Sequence, residues 1–148
     1  MKLVVIDTNV WVSAFLNRTG FPARIKDAWV NGKFEIAVST PLLHEISEVL
    51  HRPRLKNKYG LTEDEITQFV ELILRRAVLV TITGTLKLCR DERDDIFLET
   101  AIVAGAECLI SRDDDLKGDS DLIEQMRTHG VEVITVSRFV EKLAVEGA

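Results

Sequence analysis

Short apolar runs alternate with helical patterns along the whole chain, and this alternation limits the folds open to it. Five runs read as strands: Leu3–Ile6, residues 34–38, residues 78–82, Cys108–Ser111 and residues 131–136. Most are rich in Val and Ile, with little polar–apolar alternation. Such strands suit a parallel sheet covered on both faces. After the first strand, Val10, Ala14 and Phe15 recur at helical spacing. Pro22 opens a second helix, with Ile25, Ala28 and Trp29 on one face and Asn31–Gly32 as its stop. Thr40 and Pro41 start a third. Thr62 caps a fourth, and Glu65 three residues later completes a capping box. Residues 94–104, 121–128 and 137–145 supply the last three. Strands alternating with helices predict an α/β fold: one domain over residues 1–148, with a mainly parallel five-stranded sheet and helices on both faces.

Composition excludes several alternatives. At 148 residues the chain is about one domain long and can bury a core without disulfides. The hydrophobic fraction of 46% and charged fraction of 29% are those of an ordinary globular protein. There is no low-complexity segment, repeat or Pro- and Gly-rich linker. No apolar run approaches the ~20 residues of a membrane span, and the start of the chain has no signal-peptide pattern. These features predict a cytoplasmic protein with no membrane partner. Cys89 and Cys108 lack metal-site spacing, and Cys108 reads as a core residue. His44, His51 and His129 are scattered and read as surface or boundary residues. A net charge of -5 argues against non-specific nucleic-acid binding by the chain as a whole, but not against a local basic track.

Open parallel sheets bind ligands at the carboxyl ends of their strands. Asp7 follows the first strand. "CLISRDDDL" brings Asp113, with Asp115 beyond it, after the fourth. "DERDDIFLETA" places Asp94 and Asp95 at a helix start. In "TPLLHEISEVL", Leu42, Leu43, Ile46, Val49 and Leu50 form one apolar stripe. Glu45 lies at its edge, whereas His44 and Glu48 point further out. Each acid alone has a plain structural role: a cap or first-turn residue for Asp7, Asp94 and Asp95, an Asx turn for Asp113, an exposed helix position for Glu45. Together, four elements deliver carboxylates to one sheet edge. Two such charges ~5 Å apart repel by roughly 3 kcal/mol at an effective dielectric near 20. A cation would offset that repulsion, and oxygen-only ligands favour Mg²⁺ or Mn²⁺.

"VVIDTNVW", "TPLLHEISEVL", "CRDERDDIFLETA" and "CLISRDDDL" resemble, in order and over nearly the whole chain, the motifs of the PIN domain family. Within it, the resemblance is to the VapC-like toxin components of toxin–antitoxin systems. It implies a metal-dependent ribonuclease whose four acids fall on Asp7, Glu45, Asp94 and Asp113. The family's small polar residues fall on Thr8 or Asn9 and on Ser111. Ala101, seven residues on, favours Asp94 as the third acid. Glu92 stands where the family usually has Pro, so Asp94 and Asp95 both stay open. A homodimer and a small antitoxin partner are also implied.

On this reading Asp7, Asp94 and Asp113 hold one or two divalent ions. Glu45 binds the second ion or orients the attacking water, and Asn9 and Ser111 hold ligands or phosphate. Ser111 is not a nucleophile, because no His base is placed near it. "HRPRLKNKYG" adds Arg52, Arg54, Lys56 and Lys58, a track for an RNA backbone. The plain alternative is a solvated, flexible basic loop. Arg18, Arg112 and Lys117 are further RNA-binding candidates. A different class of function is a non-catalytic PIN-like protein- or RNA-binding module. A haloacid dehalogenase-type phosphohydrolase would want a second Asp where Asn9 stands. A receiver domain would want paired acids after the first strand and a late Lys.

Overall fold

The computed structural model describes residues 2–17, 19–84, 92–111 and 120–146. Its strands are β1 (Leu3–Ile6), β2 (Glu35–Ser39), β3 (Val78–Val80), β4 (Cys108–Ser111) and β5 (Glu132–Thr135). Its helices are α1 (Thr8–Leu16), α2 (Phe21–Val30), α3 (Thr40–Leu50), α4 (Pro53–Tyr59), α5 (Glu63–Arg76), α6 (Glu92–Ala104), α7 (Ser120–Thr128) and α8 (Val136–Glu146). Every strand pair is parallel, and the sheet order is β3-β2-β1-β4-β5. The sheet is therefore wholly parallel, where the sequence predicts a mainly parallel one.

The central strand is β1, and its Val4, Val5 and Ile6 are buried. So are Ile36, Ala37 and Val38 of β2 and Cys108, Leu109 and Ile110 of β4. Burying such an aliphatic side chain stabilises by about 1.5–3 kcal/mol, so the unbroken apolar runs select the middle of a two-sided sheet. With the right-handed crossovers that parallel β–α–β units take, this strand order puts α1–α5 on one face and α6 and α7 on the other. The last helix, α8, returns to pack on α2, and Phe139 meets Phe34 edge-on with ring centroids 5.1 Å apart. On the same face Phe69 of α5 touches the Trp11 and Phe15 rings of α1, at 6.0 and 4.7 Å.

Several boundaries differ from those read in the sequence. The β2 strand runs one residue later than 34–38, because Phe34 turns into the core beside Phe139. The run 78–82 shortens to three residues, since β3 is an edge with one neighbour, and Leu79 is 56% exposed. Strand 131–136 gives up its ends, and Thr135 caps α8 instead: its Oγ1 accepts from the Arg138 amide at 3.4 Å. The α3 helix starts at Thr40, as read, and Ser39 caps it, its Oγ accepting from the Leu42 amide at 3.4 Å. The capping box of α5 is present in both directions, Thr62 Oγ1 accepting from the Glu65 amide at 3.1 Å and Glu65 Oε1 from the Thr62 amide at 3.2 Å.

The basic stretch after α3 is a helix, not a flexible loop. Pro53 sits in the first turn of α4, where its missing N–H costs nothing. Gly60 ends it in the left-handed region at φ 59°, and its N–H donates to the Lys56 carbonyl. Lys56 and Lys58 fall in the last turn, where the helix dipole favours cations. Among the described residues no helix is long and apolar enough to cross a membrane.

Candidate active site at the carboxyl edge of the sheet

The strand order creates a switch point. From β1 the chain moves toward β2, and from β4 it moves the other way toward β5. The crevice between the carboxyl ends of two such strands is where open α/β sheets bind ligands. Asp7 and Ser111 stand at this crevice. The Asp7 amide donates to the Ile110 carbonyl at 3.0 Å, which ties the end of β1 to β4. Asp7 is 1% exposed and Ser111 fully buried.

Asp7 caps α1: its Oδ1 accepts from the Val10 amide at 3.0 Å. The plain role foreseen for it is thus real, but it engages one oxygen of a carboxylate that the fold has removed from water. Burying an ionised carboxylate costs several kcal/mol unless hydrogen bonds, a dipole or a cation compensate. The positive end of α1 supplies part of that compensation. Ser111 Oγ has no hydrogen-bond partner among the described residues. A buried hydroxyl in that state loses about 1–3 kcal/mol, so it fits a ligand at the crevice.

Glu45 reaches the same place from α3. The Thr8 hydroxyl donates to Glu45 Oε2 at 3.0 Å, across 37 positions of sequence. Thr8 therefore orients Glu45, a more specific task than general polar support. Asn9 is exposed beside them. The α6 helix leads back to the start of β4, so its first turns lie at the carboxyl edge. Its level is fixed by Thr100, whose Oγ1 lies 2.8 Å from Ser39 Oγ at the end of β2 and donates to the Ile96 carbonyl at 2.6 Å. Asp95 lies five residues earlier, about 7.5 Å up the helix axis, and its side chain is buried. Asp94 holds the third position of α6; its side chain lies outside the described residues, as do Arg18, Cys89, Arg112, Asp113, Asp115 and Lys117.

Ser39, Glu99 and Thr100 are absent from the residues singled out in the sequence. Glu99 is buried and accepts from the Thr83 amide at 2.7 Å, the Thr83 hydroxyl at 3.1 Å and the Gly84 amide at 3.1 Å. It fastens the chain after β3 to α6. Its spacing of four from Asp95 puts both acids on one helix face, a signal present in "DDIFLETA".

The donors at hand are carboxylate and hydroxyl oxygens, which suit a hard divalent cation. Among the described residues no three His, Cys, Asp or Glu side chains come together as a ligand set. The described part contributes Asp7, Glu45 and the Ser111 hydroxyl. Cys108, buried at the start of β4, has its thiol pKa pushed up by burial and is no candidate ligand.

The basic residues of α4 follow the C-terminal end of α3, whose N-terminal end is the one joined to the carboxyl end of β2. Arg52 and Arg54 are exposed, Lys58 lies 5.4 Å from the Tyr59 ring centroid, and Lys56 Nζ contacts Glu63 Oε1 at 2.6 Å. The same Glu63 meets His51 Nε2 at 2.8 Å, while His51 Nδ1 faces the Ser47 carbonyl at 2.7 Å. Only the imidazolium donates from both nitrogens. The Glu63 hydrogen bond, then the Ser47 carbonyl, raises the His51 pKa; Lys56, then His51, lowers that of Glu63. The signs fix a window. The His51 contribution is full below its ordinary value of 6.5 and is lost as pH rises through the raised one. The Glu63 contribution is full above its ordinary 4.5 and is lost as pH falls through the lowered one. In urea titrations, wild type should therefore exceed His51→Asn in stability most between these two values. The gap should close at pH 9 and shrink in high salt. A gap independent of pH would mean that the imidazolium is not the stabilising species.

A buried aspartate at the switch point of a parallel sheet, with a second carboxylate held beside it, defines an α/β protein with an acidic crevice. The model of the PIN domain matches residues 3–115, and the chain belongs to the PIN domain family. The family named by the four motifs is thus borne out. The chain is 30% identical over 141 residues to the uncharacterized protein MJ1680 of Methanocaldococcus jannaschii, covering 94% of this chain and 90% of that protein. Its fold is similar to that of VapBC2 from Rickettsia felis, solved bound to a DNA fragment from their promoter, with TM-score 0.55 and 13% identity. That match covers 90% of this chain and 98% of the other. It is also similar to the PilT N-terminus domain protein SSO1118 from Sulfolobus solfataricus P2, with TM-score 0.51 and 13% identity, covering 95% and 92% of the two chains.

Proposed function

We propose that this protein is a metal-dependent endoribonuclease that cleaves phosphodiesters of single-stranded RNA, and that it is the toxin of a toxin–antitoxin pair. The observation that carries the reading is the buried Asp7 at the switch point, with Glu45 held beside it by Thr8 and, on the adjoining strand, the buried Ser111 hydroxyl, which has no hydrogen-bond partner among the described residues. Asp7, Glu45, Asp94 and Asp113 hold the ion, with Asp95 and Asp115 as neighbouring acids. When bound, Mg²⁺ or Mn²⁺ supplies a Lewis acid and a more acidic water at the scissile phosphodiester. Glu45, oriented by Thr8, positions the attacking water, Asn9 donates to the scissile phosphate, and Ser111 donates to a phosphate oxygen of the same strand. VapBC2 supports an antitoxin partner by fold alone. A cytoplasmic homodimer acting through one nuclease domain completes the proposal.

The test is cleavage of labelled single-stranded RNA by the purified chain with Mn²⁺ and with excess EDTA. Cleavage only with metal supports the enzyme; no cleavage of any RNA, with RNA or a protein partner still bound, supports the non-catalytic module.

Arg52, Arg54, Lys56 and Lys58 supply affinity away from the chemistry. Replacing all four with Ala should weaken RNA binding and flatten its salt dependence, since fewer counterions are released. Arg54 and Lys58 should carry more of this than Lys56, which Glu63 already engages. Unchanged affinity and salt slope would assign α4 to solvent.

A further inference from the structure

A groove of about 660 Å³ follows the outer edge of β5, between α7 and α8. Ser111 and Arg138 line one end, at the carboxyl edge of the sheet, and Arg127 lies toward the other. The two ends are about 13 Å apart, the length of a four-residue strand. At the Ser111 end three independent features favour an anion. The Ser111 hydroxyl is fully buried, lines the groove and has no hydrogen-bond partner among the described residues. The α8 helix, 11 residues long, begins there, so its positive dipole end faces the same space. Arg138, in its first turn, adds an exposed guanidinium.

We propose that this groove is the track of the RNA strand beside the cleavage site, with a phosphate neighbouring the scissile one held by Ser111, the α8 N-terminus and Arg138. The inference rests on the nuclease reading for its choice of RNA. The acid in the groove, Glu132, does not oppose it: Lys142 contacts Glu132 at 3.0 Å. Arg127 shares its charge with Glu124 at 3.0 Å but keeps further donors for a second phosphate. A peptide strand adding to the β5 edge would use backbone groups and leave the Ser111 hydroxyl and both guanidiniums idle.

The ¹⁵N-labelled full chain in EDTA, where cleavage is not required, tests this with two probes: inorganic phosphate and a short single-stranded 2′-O-methyl RNA. Both should shift the amides of Ser111, Ser137 and Arg138, and the RNA should also shift Arg127. Arg138→Ala should weaken RNA binding roughly tenfold and reduce the salt slope by about one. Arg138→Lys should restore the slope but only part of the affinity. RNA shifts confined to α4, or Arg138→Ala with unchanged affinity and slope, would overturn the proposal. So would phosphate moving these amides when RNA does not. Concentration-dependent shifts of the β5 amides without RNA, again insensitive to Arg138→Ala, would assign the edge to strand addition. Cleavage with Mn²⁺ is assayed separately. Groove shifts without any cleavage would remove the nuclease reading and leave the groove. Cleavage with no groove shifts and an unchanged KM in Arg138→Ala would do the reverse.

Discussion

Asp7→Asn should abolish metal-dependent RNA cleavage while leaving the protein folded. The two roles of Asp7 are separable because they use different properties of the side chain. Oδ1 caps α1 through the Val10 amide, and Asn caps a helix about as well as Asp. The negative charge, which Asn lacks, is what the proposed ion requires. Loss of a residue that only orients a metal ligand costs 10–100-fold, so loss of the ligand charge should cost more than about 100-fold in rate. Asp7→Ala should be equally inactive and also less stable by about 1 kcal/mol, the worth of the lost cap. Initial rates on a labelled oligonucleotide with Mn²⁺, paired with urea unfolding of all three proteins, separate these effects. Undiminished cleavage by Asp7→Asn would remove Asp7 and the ion from the mechanism.

Removing the third acid should raise stability in the absence of metal. In the proposed site Asp7, Glu45, Asp94 and Asp113 share one ion, so on that reading their carboxylates repel one another in EDTA. A pair ~5 Å apart repels by roughly 3 kcal/mol at an effective dielectric near 20. Against this, an Asp in the first turn of α6 gains about 0.3–1 kcal/mol from the helix dipole. Repulsion is the larger quantity, so Asp94→Asn should melt above the wild type in EDTA at neutral pH. Mn²⁺ reverses the order. At a hundred times its Kd, an ion that binds only the folded state adds about 2.7 kcal/mol, and the mutant should gain much less. Calorimetry of both proteins in EDTA and across a Mn²⁺ series reads both effects. If the mutant melts lower and both respond alike to Mn²⁺, Asp94 is a helix-start residue. Asp95, buried on the same helix, would then be the acid to replace.

Local signals carried much of the fold into the sequence. β1 and β4 begin and end where the sequence places them, because nearly unbroken apolar runs mark strands buried on both faces. The α5 capping box is legible because its partners are three residues apart. Edge elements were less legible. β3 is shorter than its apolar run, since residues past Val80 have no second strand to reward extension. α4 was hidden because a short basic helix has the composition of a loop, and only Pro53 and Gly60 mark its limits.

The candidate site divides in the same way. That Asp7 ends an apolar strand and that Glu45 borders an apolar stripe follow from the sequence, through periods of two and 3.6 residues. What those residues meet does not follow. The strand order places the switch point between β1 and β4, and so makes neighbours of Asp7 and Ser111. The hydrogen bonds from Thr8 to Glu45, between Ser39 and Thr100, and from Thr83 to Glu99 join positions 37, 61 and 16 residues apart. Helical and strand periods act over a few residues and carry no information at those separations. Which carboxylate meets which hydroxyl was decided only when the helices packed onto the sheet, because burial leaves a polar atom no partner except the one the packing brings to it.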